Sequence, residues 1–128
     1  MNRKLATAIL IGIFLTPVLA TADNKGLEDP EGAMVTESHG KITVLRSQPQ
    51  GMEYGSGKNR LDAEVIFKLD KEPGKTFGIR LHEGTDPSIF YMTDLLREAF
   101  VNDLNVTVLH NKVEGVVNYP VIWVEITH

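Results

Sequence analysis

The 128-residue sequence contains no cysteine. This absence excludes a disulfide framework, zinc sites built on thiolates, and catalysis by a thiol. Positive charge is also scarce, since 13 basic residues face 17 acidic ones and the net charge is −4. A net negative charge opposes binding to nucleic acid or to an anionic membrane surface. We therefore expect neither of these partners.

The only long apolar run lies at the N-terminus. Arg3 and Lys4 precede an uncharged stretch at residues 5–19, and small-residue sites end at Ala20 and Ala22. This pattern predicts a secretory signal peptide over residues 1–22, cleaved after Ala22 or Ala20. The run is shorter than the ~20 residues that a membrane-spanning helix needs. We expect a secreted or periplasmic protein with no stable membrane insertion after cleavage.

The rest of the chain predicts a leader and one domain. Removing Arg3 and Lys4 from the 13 basic residues leaves 11 against 17 acidic ones, a net charge of −6. Residues 23–38 are acidic and rich in glycine, which is typical of a flexible leader. Residues 39–128 have regular patterns of apolar and polar residues and are predicted to form one domain. A mature chain of about 106 residues favours a single domain.

Alternating apolar and polar residues mark five strands, because a strand with one buried face alternates in this way. A Pro-Gly pair between the second and third of them favours a tight turn and hence a hairpin. The long segment before the second strand, residues 48–60, is polar and rich in glycine, which predicts a loop. The predicted strands lie at residues 40–48, 61–69, 76–82, 104–110 and 121–126.

One helix interrupts the strands. Asp86 suits its N-cap and Pro87 its first position, while Asn102 and Asp103 favour its end. The apolar stripe that we expect it to bury contains Ile89, Met92, Leu96, Ala99 and Phe100, with Leu95 at its margin.

The element order predicts the fold class. Three strands, a helix and two strands (β-β-β-α-β-β) is the order of a five-stranded OB-like barrel, in which the helix closes one end of the core. We therefore expect a mainly β fold with one α-helix and an OB-like β-barrel domain. A mixed sheet with the helix packed on one face is the alternative.

Residues with catalytic or metal-binding chemistry do not form a known pattern in the sequence. Asp62 and Glu64 lie two apart on a strand face predicted to be solvated, and no glycine loop has the spacing of a phosphate cradle. We expect no metal, no cofactor and no enzymatic activity; a small periplasmic hydrolase or lyase built from scattered residues is the alternative. The histidines are too far apart in sequence to suggest a metal site: His39, His82, His110 and His128.

A binding role is favoured instead. Barrels of this type present ligands to the outward face of the second and third strands and to the loops that follow strands one and four. Gly78, in the middle of that face, favours a bend over close approach of a ligand or backbone. Trp123 is predicted to cover a subunit interface, and burial beneath the leader is its alternative. The predicted ligand-binding residues are Tyr54, Lys58, Arg60, Lys68, Arg80, His82 and Tyr119.

The layout also resembles a known family. A signal peptide, the strand "GKITVLRSQ", a long loop, a hairpin and "FYMTDLLREAFVNDLNVTVLHN" are similar in order to the B subunits of the subtilase-cytotoxin and pertussis type. Those are exported OB-fold subunits that bind glycans as pentamers, and the resemblance spans residues 40–126. It implies a glycan-binding, ring-forming subunit.

The residues alone predict a more general role. They indicate an exported, non-catalytic binding or assembly module. Its expected partner is a protein or a cell-surface glycan, with a homo-oligomer left open.

Overall fold

The computed structural model describes residues 34–82 and 86–128. The predicted signal peptide and the first part of the predicted leader lie outside the described residues. The elements are β1 (Met34–Ser47), β2 (Val65–Leu69), β3 (Thr76–Ile79), α1 (Ser88–Asn102), β4 (Asn105–Lys112) and β5 (Asn118–Thr127), with a 3₁₀ turn at Gly57–Asn59. Within the described ranges, no helix combines the length and apolar character needed to cross a membrane.

The five strands close on themselves in the order β1-β2-β3-β5-β4, with β4 pairing back onto β1. Every pairing is antiparallel except that of β3 with β5, which is parallel. The sheet is therefore a closed barrel rather than an open mixed sheet. The prediction of a mainly β fold with one helix is confirmed.

Strand β1 closes the barrel because it pairs with two neighbours. Its residues 34–41 pair with β4, and its residues from Ile42 onward pair with β2. The change of partner occurs between Lys41 and Ile42. Gly40, just before it, has a φ of 150°, which residues with a side chain rarely adopt. A Cβ at residue 40 would also lie 2.5 Å from Asp70 Oδ1, the atom that accepts a hydrogen bond from the Lys41 amide. Glycine is therefore required next to the change of partner.

The first strand begins earlier than predicted. The sequence placed its start at residue 40, with residues 23–38 in the leader, but residues from Met34 onward pair with β4. The alternation was missed because one of its inward residues is polar. Ser38 is only 5% exposed, and its hydroxyl lies 2.8 Å from His110 Nε2 inside the barrel.

Helix α1 covers the core with a narrower stripe than predicted. Leu96 and Ala99 are buried, and Ile89 and Met92 pack against the core with part of their surface exposed. Phe100 was predicted to belong to this stripe but is 46% exposed. Phe100 is therefore not part of the buried stripe, and the core that α1 covers does not include it.

The ends of α1 lie at the predicted capping residues, except that the N-cap is one residue later than predicted. Pro87 is the N-cap, and Asp86, one residue earlier, accepts a hydrogen bond from the Ser88 amide at 3.0 Å. Asp103 ends the helix in the left-handed conformation, with a φ of 56°. Its carboxylate lies 2.9 Å from the Lys41 ammonium group. This ion pair joins the end of the helix to β1.

Candidate functional site

The outward face of β2 and β3 is not open to ligands in this protein. Residues 48–64, which we call the cover loop, fold back over it. Leu61 and Ala63 of this loop pack on Ile66 of β2, with Tyr54 at the border, and form a second, smaller apolar cluster. The second strand was predicted to begin at residue 61, but β2 begins at Val65, and Leu61 and Ala63 lie in the loop instead. The prediction that this face is exposed is wrong, since Ile66 has no exposed surface.

Gly78 allows the cover loop to approach. A Cβ at residue 78 would lie 2.7 Å from Leu61 Cδ2 and 2.8 Å from Ala63 Cβ, both closer than van der Waals contact permits. Close approach, the alternative interpretation of Gly78, is what the structure shows. The close neighbour is the protein's own loop.

We expect Gly78→Ala to destabilise the fold by about 1–3 kcal/mol, the usual cost of an extra methyl group in a packed region. Urea unfolding followed by circular dichroism measures the change. Leu61→Ala supplies the control. The double variant Gly78→Ala/Leu61→Ala should lose less free energy of unfolding than the sum of the losses in the two single variants. A Gly78→Ala protein within about 0.5 kcal/mol of wild type would contradict this packing.

The cover loop is fastened to the loop before β5. The side-chain oxygen of Asn59 accepts a hydrogen bond from the Val117 amide at 2.9 Å, and its carbonyl oxygen accepts one from Asn118 Nδ2 at 2.6 Å. The predicted ligand residue Lys58 is exposed beside this junction. The two loops predicted to flank a ligand are therefore bonded to each other.

A basic–aromatic cluster, formed by Arg46, Tyr54 and Lys68, lies at one end of the covered face. The guanidinium carbon of Arg46 is 5.4 Å from the centre of the Tyr54 ring, and Lys68 Nζ is 6.0 Å from it. A hydrogen bond with the Thr76 side chain lowers the pKa of Tyr54, and the charges of Lys68 and Arg46 act in the same direction against burial. Among the described residues, no carboxylate forms an ion pair with Arg46 or Lys68.

An acid–histidine cluster, formed by Asp62, Glu64 and His82, lies at the other end. Glu64 Oε1 accepts hydrogen bonds from the amides of Leu81 at 2.7 Å and His82 at 2.8 Å. Glu64 Oε2 lies 2.7 Å from His82 Nδ1, so this nitrogen donates to the carboxylate. The other ring nitrogen, Nε2, lies 3.5 Å from Asp62 Oδ2.

Glu64 stays ionised in this setting. Burial alone would raise its pKa, but hydrogen bonds from the His82 amide, the His82 ring and the Leu81 amide together lower it. The sequence predicted a solvated Glu64, whereas it is 7% exposed. It was misjudged because it lies at the end of the cover loop, before β2 begins, where the alternation of a strand does not apply.

The acid–histidine cluster brings together three residues of metal-binding type, which the spacing of the histidines in the sequence did not indicate. One ligand atom from each residue of the acid–histidine cluster lies within 4.8 Å of the others. Spacing along the chain conceals this, because the cluster forms where the end of the cover loop passes the residues that follow β3. There Glu64 accepts hydrogen bonds from the amides of Leu81 and His82.

The remaining predicted site residues are dispersed. Arg60 forms a 2.6 Å ion pair with Glu53, and Arg80 Nε donates to the Asp62 carbonyl oxygen at 3.1 Å. Tyr119 was predicted in a surface loop but is 2% exposed, inside the barrel, because β5 already begins at Asn118.

Trp123 is half-buried on β5 opposite Leu109, next to an irregularity in the β4–β5 register. The prediction that it covers a subunit interface stays a prediction.

Comparisons of this chain with protein-family models, with curated proteins and with solved structures found no match.

Proposed function

We propose that this chain is an exported, non-catalytic binding module built on an OB-like barrel. The strand order, the pairing of β1 with both β2 and β4, and the helix between β3 and β4 support the OB type. The signal-peptide pattern of residues 1–22 supports export.

The buried position of the Ser38–His110 pair supports a non-catalytic role. Ser38 Oγ lies 2.8 Å from His110 Nε2, a distance suited to a nucleophile and its base. The two residues are only 5% and 1% exposed, however, and they lie in the barrel core. A substrate has no access to them, so this pair supports the fold rather than a hydrolase.

The ligand of the module is an anion, bound at the basic–aromatic cluster. The observation that carries this proposal is that Arg46 and Lys68 flank a tyrosine ring and have no carboxylate partner among the described residues, although the chain is acidic overall. Guanidinium and ammonium groups recognise carboxylates and phosphates through charge-assisted hydrogen bonds. The Tyr54 ring adds a flat apolar surface, so an acidic sugar matches both parts.

Isothermal titration with glucuronate tests the proposal, with glucose as the neutral control of the same shape. We expect saturable binding of glucuronate alone. Arg46→Gln and Lys68→Gln should each weaken it by about 10- to 100-fold, since hydrogen bonds to charged groups contribute about 1.5–3 kcal/mol.

Arg97→Gln is the matched charge control, because Arg97 is exposed on the outer side of α1 and its variant should bind as wild type does. Equal affinity for glucose and glucuronate would contradict the proposal. So would binding that Arg46→Gln and Lys68→Gln leave unchanged.

A further inference from the structure

We propose that the acid–histidine cluster is a binding site for a divalent transition metal, with zinc as the ion that it fits best. His82 Nε2 and Asp62 Oδ2 are the two metal ligands, and Glu64 orients the histidine from behind. This site is separate from the basic–aromatic cluster and does not depend on the function proposed above.

The distance between the two ligand atoms fits one shared ion. Zinc lies about 2.0–2.2 Å from nitrogen and oxygen ligands in a tetrahedral arrangement, which places two ligand atoms roughly 3.3–3.6 Å apart. His82 Nε2 and Asp62 Oδ2 are 3.5 Å apart. The spacing of these two atoms therefore suits one shared ion, with water completing its coordination.

Glu64 gives the histidine the tautomer that a metal ligand needs. Because Glu64 Oε2 accepts from His82 Nδ1 at 2.7 Å, the proton of the neutral ring is held on Nδ1 and the lone pair is on Nε2. The same carboxylate is fixed by the Leu81 and His82 amides through its other oxygen. A carboxylate behind a ligating histidine is the usual support of a zinc-bound imidazole.

The ligand set selects the kind of metal. Imidazole nitrogen favours zinc, copper and nickel, whereas calcium and magnesium prefer oxygen ligands alone. Access is open on one side, since the Asp62 and His82 side chains are 34% and 17% exposed. The Arg80 guanidinium, 3.8 Å from Asp62 Oδ2, repels a cation and limits the affinity.

Titration of the metal-free full-length chain with Zn²⁺ tests the site, with calorimetry as the readout. Saturable binding at a 1:1 ratio is expected, and Asp62→Asn or His82→Gln should abolish it. Glu64→Gln should weaken it by about 10- to 100-fold, as loss of a supporting carboxylate does. Arg80→Gln should bind Zn²⁺ more tightly than wild type, because it removes the opposing charge.

His39→Gln is the matched control. His39 is an exposed histidine on β1 that is bonded to Thr107, so its variant should bind Zn²⁺ as wild type does. Circular dichroism shows whether each variant is folded. If Glu64→Gln does not fold, Asp62→Asn, the change at the most exposed residue of the cluster, still tests whether the site binds Zn²⁺. Absence of 1:1 binding, or binding that survives both Asp62→Asn and His82→Gln, overturns the proposal and leaves the cluster as an ion-pair network only.

Discussion

Replacing Leu96 with aspartate is expected to unfold the protein. Leu96 has no exposed surface and packs within the main core, where α1 covers the barrel. A carboxylate placed there loses its hydration without gaining a partner, which costs several kcal/mol. Domains of this size are stable by only about 5–15 kcal/mol. Circular dichroism at 25 °C should show loss of the native β signal or a sharply lowered urea midpoint.

The same helix offers a control and a milder variant. Val101 is 72% exposed, so Val101→Asp should change the free energy of unfolding by no more than about 0.5 kcal/mol. Leu96→Ala should keep the protein folded and cost about 2–5 kcal/mol, the usual range for a leucine removed from a core. If Leu96→Asp and Val101→Asp prove equally mild, α1 does not cover the barrel.

Mild acid is expected to destabilise the wild-type protein through His110. Its ring is 1% exposed and stacks on Tyr119, with 4.6 Å between ring centres. Burial lowers the pKa of His110 below its ordinary value of 6.5, although the Asn111 carbonyl and Glu72 act in the opposite direction. The unfolded chain therefore binds more protons than the folded one below pH 6.5. The contribution of neutral His110 to the free energy of unfolding is fully present above that pH. It is lost as the pH decreases through the folded-state pKa.

The hydrogen bonds around His110 fit its neutral form. Nδ1 lies 2.9 Å from the Asn111 carbonyl oxygen, which only accepts, so the proton is on Nδ1. Nε2 then accepts from the Ser38 hydroxyl. Protonation would reverse that bond and turn the Ser38 hydroxyl toward Glu72 Oε1, 3.2 Å away. The core must then hold a positive charge that only a distant carboxylate offsets.

Urea unfolding at intervals between pH 7.5 and 5 measures this effect. The free energy of unfolding should fall with decreasing pH by at most about 1.4 kcal/mol per pH unit, the value for one titrating proton. His110→Phe keeps a ring against Tyr119 and should flatten the slope, although it lowers stability at every pH. His39→Gln should retain the wild-type slope. The range stops at pH 5 because Glu64, whose pKa is lowered, adds its own loss only below about 4.5. Equal slopes in wild type and His110→Phe would contradict the assignment.

The periodicity of apolar residues predicted the strands and the helix whose buried faces are apolar. The alternation in residues 61–69 and 76–82 contains β2 and β3, and the helical repeat contains all of α1. It failed where a polar residue is buried. Ser38 and His110 satisfy each other inside the barrel, so the start of β1 has no apolar pattern to reveal it.

The candidate sites depend on contacts that are distant in sequence. Nothing in the composition of the cover loop indicates that Leu61 packs on Gly78, because that contact exists only after the hairpin has formed. The acid–histidine cluster depends on the same folding back of the loop, since Asp62 and Glu64 lie in the cover loop and not in β2. The burial of Tyr119 could not be predicted either, because β5 lies parallel to β3 and no turn connects these two strands.

The double pairing of β1 also determines when the protein can fold. Met34, the first residue of the strand, pairs with Lys112, and within the described part of the chain residues 34–41 pair with β4 alone. During synthesis the barrel therefore cannot close before residue 112 has emerged, and contacts between such distant residues form slowly. Such a delay is compatible with the proposed export, in which a chain crosses a membrane before it folds.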